Sequence, residues 1–374
     1  MPLVPRSSKP MSAARLSNID GLRAIAALSV FVQHFIGDAS RAEGVSAGVL
    51  YPWLSFSEHS LDLGRFGVVL FFLISGFVVP FSIRGEAPLK RFAISRFFRL
   101  YPAFWGALAC LAIIYWTAGT PVSMMTMLAN VTMAPQFLGQ GWMSGIYWTL
   151  FIELVFYFLA AGLFATRFLG NPLAVVILAV ALVSSTAGPI LVRLYLGIGL
   201  PVSYIGLHLS FLFSGLLLRL AIVERKKGAA SCAAYLIAYQ LLAVLAVSEF
   251  SLMRNDGFIL IGTLPIMTGY LLAVAVFIGA VRLNAPQSRV LAWIGRISYS
   301  IYLFHWIVNV TIYRFLPLTG GWRDLATMLV CLMATIGVSY LVFRFVEKPS
   351  IALGRRVASK LLETDTRPIV PEAA

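Results

Sequence analysis

Apolar runs of about 20 residues recur along this chain between Leu22 and Phe345. A helix of that length matches the roughly 30 Å hydrocarbon thickness of a bilayer. Lipid leaves no backbone polar group unpaired, so each run must form a helix packed against others. The pattern predicts an all-α, polytopic transmembrane helical bundle. Composition points the same way: 60% of the 374 residues are hydrophobic and 12% charged, about half the charge density of an ordinary soluble domain. A soluble enzyme, a disordered chain and a soluble domain on a single anchor are all excluded. An outer-membrane barrel is excluded too, because its strands would read as short alternating segments.

About ten spans are predicted, at 19–37, 65–83, 100–118, 146–167, 172–195, 202–222, 230–247, 258–280, 290–313 and 325–345. The formal charge is +14, which in a soluble protein would suggest a nucleic-acid partner. Here the basic residues flank the spans, so nucleic acid is not expected. If the N-terminus is cytoplasmic, cytoplasmic segments hold 23 of the 29 Lys and Arg and the outer segments six. The loop 119–145 holds none. That asymmetry predicts N-in and C-in topology, with an even number of spans. Asp20 and His34 argue against reading the first run as a signal peptide. Cys110, Cys232 and Cys331 lie in or beside apolar runs with neither pairing nor metal spacing. HExxH is absent, and no metal site is expected.

The predicted organisation is a cytoplasmic segment 1–17, a membrane domain 18–349 and a basic, Pro-containing cytoplasmic tail 350–374, peripheral or mobile. Within the first segment, Leu3-Val4-Pro5-Arg6-Ser7 looks like a protease-cleavable tag remnant. No soluble domain is expected. Phe72–Phe77 (FLISGF) is echoed by 211–216 (FLFSGL); small residues for close helix packing explain this better than a true repeat.

Ionisable residues at membrane depth are costly and mark function by default. Arg23 and His34 lie eleven residues apart on nearly one face of the first span, about 16 Å along its axis, with Asp20 just below. Glu153 is the only acid between Glu86 and Glu224, with Tyr157 one turn on and Trp148 at the mouth of the span. A buried carboxylate needs a partner, so Glu153 is predicted within hydrogen-bonding reach of His34. Ser298, Tyr302, His305 and Asn309 form a polar stripe on the ninth span, either a cavity wall or interhelical glue. Arg96 and Arg99, an i, i+3 pair at the cytoplasmic start of the third span, suit bidentate binding of phosphate; the plain alternative is topology or anionic lipid. Tyr340, Arg344 and Glu347 share a face near the cytoplasmic rim, the last two as an expected ion pair. An anion-binding set on one side and a His/Glu pair near the other suit an enzyme that draws a phosphorylated donor from the cytoplasm, with histidine as the base for a hydroxyl.

Six motifs in order resemble the acyltransferase-3 family of integral membrane O-acyltransferases. They are Arg23 with His34, Phe71 to Phe77, Arg96 with Arg99 ahead of Tyr101-Pro102, Trp148-Thr149-Leu150-Phe151-Ile152-Glu153 with Phe156-Tyr157, Gly295 to His305, and Glu347-Lys348-Pro349. Thr149 and Leu154 depart from the pattern, which usually has Ser at the first and an acid or Gln at the second. The resemblance spans nearly the whole chain. It implies transfer of an acyl group, usually acetyl, from acyl-CoA (acetyl-CoA) to a sugar hydroxyl of a glycan or lipid-linked saccharide. His34 is then the essential residue, Glu153 its partner, and Arg23, Arg96 and Arg99 engage the donor. Trp148, Tyr157, Ser298, Tyr302 and His305 are expected to line the cavity. Acyl-CoA is a substrate, and no permanently bound cofactor is expected. The expected location is the inner, cytoplasmic membrane, with membrane lipid as the surrounding partner. The rival reading is a transporter or flippase for a lipid-linked saccharide, which would show related halves and interrupted helices; an intramembrane protease is more distant.

Overall fold

A computed structural model describes residues 13–41, 51–198, 203–254, 262–283 and 288–365. The tag-like Leu3–Ser7 stretch, the start of the predicted sixth and eighth spans and the Pro-containing end of the tail lie outside the described residues. The described residues are helical, with no strand. In chain order the helices are α1 (Ala13–Ala39), α2 (Tyr51–His59), α3 (Leu63–Val78), α4 (Pro88–Thr117), α5 (Met124–Val131), α6 (Trp148–Ala165) and α7 (Pro172–Leu196). There follow α8 (Ile205–Ile222), α9 (Ala229–Arg254), α10 (Thr263–Arg282), α11 (Arg289–Arg296), α12 (Ser298–Tyr313), α13 (Arg323–Val342) and α14 (Lys348–Asp365).

Among the described residues nine helices are long and apolar enough to cross a membrane, against about ten expected. The difference is the ninth predicted span, which breaks at Ile297 into α11 and α12. The break lets α11 lay its buried Ala292, Ile294 and Gly295 on α1. It leaves α12 only 16 residues, about 24 Å long, set in the bundle against α1, α4 and α13. The third predicted span also changes. α4 begins at Pro88 and runs 30 residues, about 45 Å, so Arg96 and Arg99 stand on the helix rather than ahead of it. The start of the tail, expected to be peripheral or mobile, is the helix α14, packed on α4 with Gly354 against Phe98.

The innermost helix is α8, buried from Gly206 to Leu220. Its core is Leu and Phe, and its polar groups are paired across the interface: Gln240 on α9 donates to Ser210 and accepts from Ser214, both at 2.7 Å. Such bonds hold helices together where the hydrophobic effect does not. The two echoed motifs meet here. A Cβ on Gly76 would overlap the Leu212 carbonyl, and one on Gly215 would overlap the Leu73 carbonyl. The echo is a contact between α3 and α8, made by backbones that only glycine lets approach.

Two ends of the bundle are distinguishable. At one, Gln33 on α1 accepts from Leu63 N at 3.1 Å, Asp62 N donates to Pro265 O at 2.9 Å, and Arg314 donates to Thr117 Oγ1 at 2.9 Å and Ile114 O at 3.0 Å. The loop 119–145 folds over this far end, pinned by buried Asn130, whose amide donates to Thr126 O and Gly141 O and accepts from Met143 N. The opposite, basic end carries Arg23, Lys90, Arg91, Arg96 and Arg99, with α11 and α14 beside it.

Candidate active site

The arginines predicted to bind an anion do converge at the basic end. Arg23, on α1, bonds Asp20 at 3.3 Å and lies within electrostatic range of Arg99 and Glu153. The turn that carries Asp20 is held against α11, because a Cβ on Gly295 would overlap the Asp20 carbonyl. Arg96 lays its guanidinium over the rings of Phe92 at 5.6 Å and Tyr157 at 5.8 Å. Its Nε is buried without a hydrogen-bond partner. Arg99 lies within electrostatic range of Arg23, Tyr157 and Glu347.

Glu153 belongs to this cluster and not to His34. Its carboxylate accepts from Tyr157 Oη at 2.6 Å and from Ser75 Oγ at 3.0 Å. The predicted bond to His34 is not formed; His34 instead faces His305, with ring centroids 5.2 Å apart. Helix register gives the reason. Tyr302 is level with Thr149, their hydroxyls 2.6 Å apart. From that level Glu153 lies four residues toward the basic end and His305 three residues toward the far end, which separates them by about 10 Å along the bundle.

The predicted stripe on α12 is one buried face: Ser298, Tyr302, His305 and Asn309 are each at most 7% exposed. Tyr302 Oη also reaches Ile146 O at 2.6 Å, fixing the start of α6. Ser298 and Tyr302 line a cavity of about 60 Å³ with Phe72, Ser75, Thr149 and Glu153. The cavity therefore lies between the arginine cluster and the histidine pair. Thr149, the departure from the usual serine, keeps the hydroxyl that meets Tyr302. The Arg344–Glu347 pair is not formed. Residues 343–347 make a π turn, whose extra residue rotates Glu347 inward to accept from Ser300 while Arg344 stays exposed.

Tyr157 and His305, also expected on the cavity wall, do not line it, and Trp148 does not sit with these groups. It packs against His208 at 4.8 Å and Phe72 at 6.5 Å, on the wall of a second cavity of about 410 Å³ at the far end. Arg65, Trp142, Tyr204 and His208 line it as well. His208 Nδ1 donates to Tyr204 O at 2.8 Å, and Nε2 accepts from Arg65 at 3.0 Å and Tyr270 Oη at 3.2 Å. The sequence reading missed His208, although a histidine in the first turn of the apolar α8 carried the same signal that marked His34.

The acyltransferase-3 sequence profile, described as an acyltransferase domain, matches residues 16–344. The chain belongs to the acyltransferase-3 family. The profile takes in His34, Glu153, the three arginines and the α12 stripe, and stops short of Glu347. The chain is also similar to a protein named acyltransferase MdmB from Streptomyces mycarofaciens, 34% identical over 93 residues. That segment is 25% of this chain and 22% of the relative, so the chain matches about a fifth of that curated protein's length. No solved structure matches the chain.

Proposed function

We propose that this acyltransferase-3 protein is a membrane O-acyltransferase that moves an acyl group, acetyl in the first instance, from acyl-CoA to a hydroxyl of a glycan or lipid-linked saccharide. One observation carries the reading: three arginines gather at one end of a polar seam whose other end holds two facing histidines. Coenzyme A is rich in phosphate, and guanidinium forks are suited to phosphate. The unpaired Nε of Arg96 is a donor held ready for such a ligand. The basic end would face the cytoplasm, where acyl-CoA is made, as the Lys and Arg distribution predicts. On this reading the protein works in the cytoplasmic membrane.

His34 is half-buried toward the far end; the larger cavity, lined by Arg65 and Trp148, is at that end too, though His34 is not part of its wall. An acceptor would enter from that side. The neutral imidazole of His34 takes the hydroxyl proton, the oxygen attacks the thioester carbonyl, a C–O bond forms and the C–S bond breaks. The proton then passes from His34 to the departing sulfur, giving the coenzyme thiol. A general base of this kind contributes roughly 10²- to 10⁴-fold.

Purified His34→Ala should keep its membrane insertion and detergent Tm and lose at least about 100-fold in acyl transfer, followed by thiol release. Undiminished transfer by that variant would overturn the role of His34. Mass spectrometry of surface glycans from deleted and complemented cells identifies the acceptor, an acetyl-sized mass difference being the expected result.

A further inference from the structure

With Glu153 committed to Ser75 and Tyr157, the base needs another group to hold it. An imidazole that is to accept a proton at one nitrogen must keep the other nitrogen protonated and aimed. In many hydrolases a carboxylate does this. No carboxylate is bonded to His34 among the described residues; Asp38, one turn further along α1, accepts from Arg41 through Oδ1 at 3.0 Å, and its Oδ2, buried without a partner, makes no bond to the His34 ring. Among the described residues Arg41 lies within electrostatic range of the His34 ring, and His305 faces it.

His305 is built for the task. It is 1% exposed. Its Nδ1 lies 2.8 Å from Tyr302 O and 3.2 Å from Ile301 O. Carbonyl oxygens only accept, so Nδ1 carries the proton and Nε2 presents a lone pair. That Nε2 is buried with no hydrogen-bond partner. A buried acceptor left unpaired is costly and rare, and so calls for a reason. The ring facing it is His34, at a centroid separation of 5.2 Å and an interplanar angle of 43°. An imidazole nitrogen stands about 1 Å from its ring centre, so rings at this separation bring two nitrogens to about 3 Å, a hydrogen-bond length, once each is turned toward the other; that bond is not formed in this structure. A turn of the half-buried His34 about its Cβ–Cγ bond makes the bond, as catalytic contacts that are loose in a free enzyme tighten around substrate.

We infer that His305 is the positioning residue of this site: its Nε2 accepts a hydrogen bond from a ring N–H of His34, and so aims the other His34 nitrogen at the acceptor hydroxyl. The two carbonyls on α12 fix the tautomer of His305, and His305 in turn fixes that of His34. This inference rests on His34 acting as the base.

The test compares His305→Gln, whose amide oxygen can still accept, with His305→Leu, which cannot, in purified full-length protein. His305→Leu should lower kcat about 100-fold with the acyl-CoA KM unchanged, and His305→Gln should recover at least about tenfold of that loss. Binding of coenzyme A by calorimetry and the Tm in detergent establish that both variants are folded; a purely structural role would lower Tm and impair both variants alike. Equal loss in Gln and Leu variants that bind coenzyme A normally, or full kcat in His305→Leu, overturns the inference. If His34→Ala stays active, the reading of His34 itself fails. If His34→Ala is dead while His305→Leu is fully active, only the role of His305 fails.

Discussion

At the scale of single residues, the decisive outcome is the separation of the two groups the sequence paired. Residue type and depth made Glu153 a reasonable partner for His34, and both proved to belong to polar clusters. What the sequence lacked was the register of α6 against α12, which the Tyr302–Thr149 contact sets. The consequence is testable. Glu153→Gln keeps an acceptor for Tyr157 and Ser75 but removes the negative charge beside Arg23. We expect it to change the apparent KM for acyl-CoA several-fold and to leave kcat within about tenfold of the parent, in contrast to His34→Ala. Steady-state kinetics with varied acyl-CoA would show this, and a kcat collapse equal to that of His34→Ala would return Glu153 to the base. Arg99→Ala should raise the donor KM about 10- to 100-fold, since a hydrogen bond to a charged group contributes about 1.5–3 kcal/mol. An unaltered KM would leave Arg99 a topological role only.

Among the helices, the crossing of α3 and α8 is the most exacting contact. The sequence held both halves of it, the FLISGF and FLFSGL motifs, and the small-residue explanation was the right one. Gly76→Ala or Gly215→Ala puts a methyl group where a backbone carbonyl now lies. Overpacking of this kind costs typically about 1–3 kcal/mol, and here the obstacle is backbone that cannot rotate away. Each variant should lower the Tm in detergent by several degrees, while Gly106→Ala, whose Cβ would meet nothing within 4 Å, should not. Thermal unfolding followed by tryptophan fluorescence measures the difference. The break at Ile297 and the π turn at residues 343–347 belong to the same scale. Neither contains proline, so neither announces itself in the sequence. Each serves packing: one lays α11 on α1, and the other turns Glu347 onto Ser300.

For the whole molecule, the separation of charge predicts how the bundle sits in the membrane. A membrane-impermeant thiol reagent applied to intact cells should label a cysteine introduced at Gln140, in the far-end loop, and spare one introduced at Glu86, at the basic end. The reverse pattern would invert the topology and remove the route by which cytoplasmic acyl-CoA reaches the arginines. By itself the sequence determined the all-helical class, the approximate spans and most of the polar residues of the site. Lipid forces those features: a bilayer sets helix length, penalises every stray charge, and so makes the exceptions visible. Tertiary structure alone decided which exceptions meet. Helical periodicity gives the face of a residue on its own helix, but the height and rotation of one helix against its neighbour come from side chains interlocking across the interface. Those contacts put His305 beside His34 and left Glu153 with the arginines.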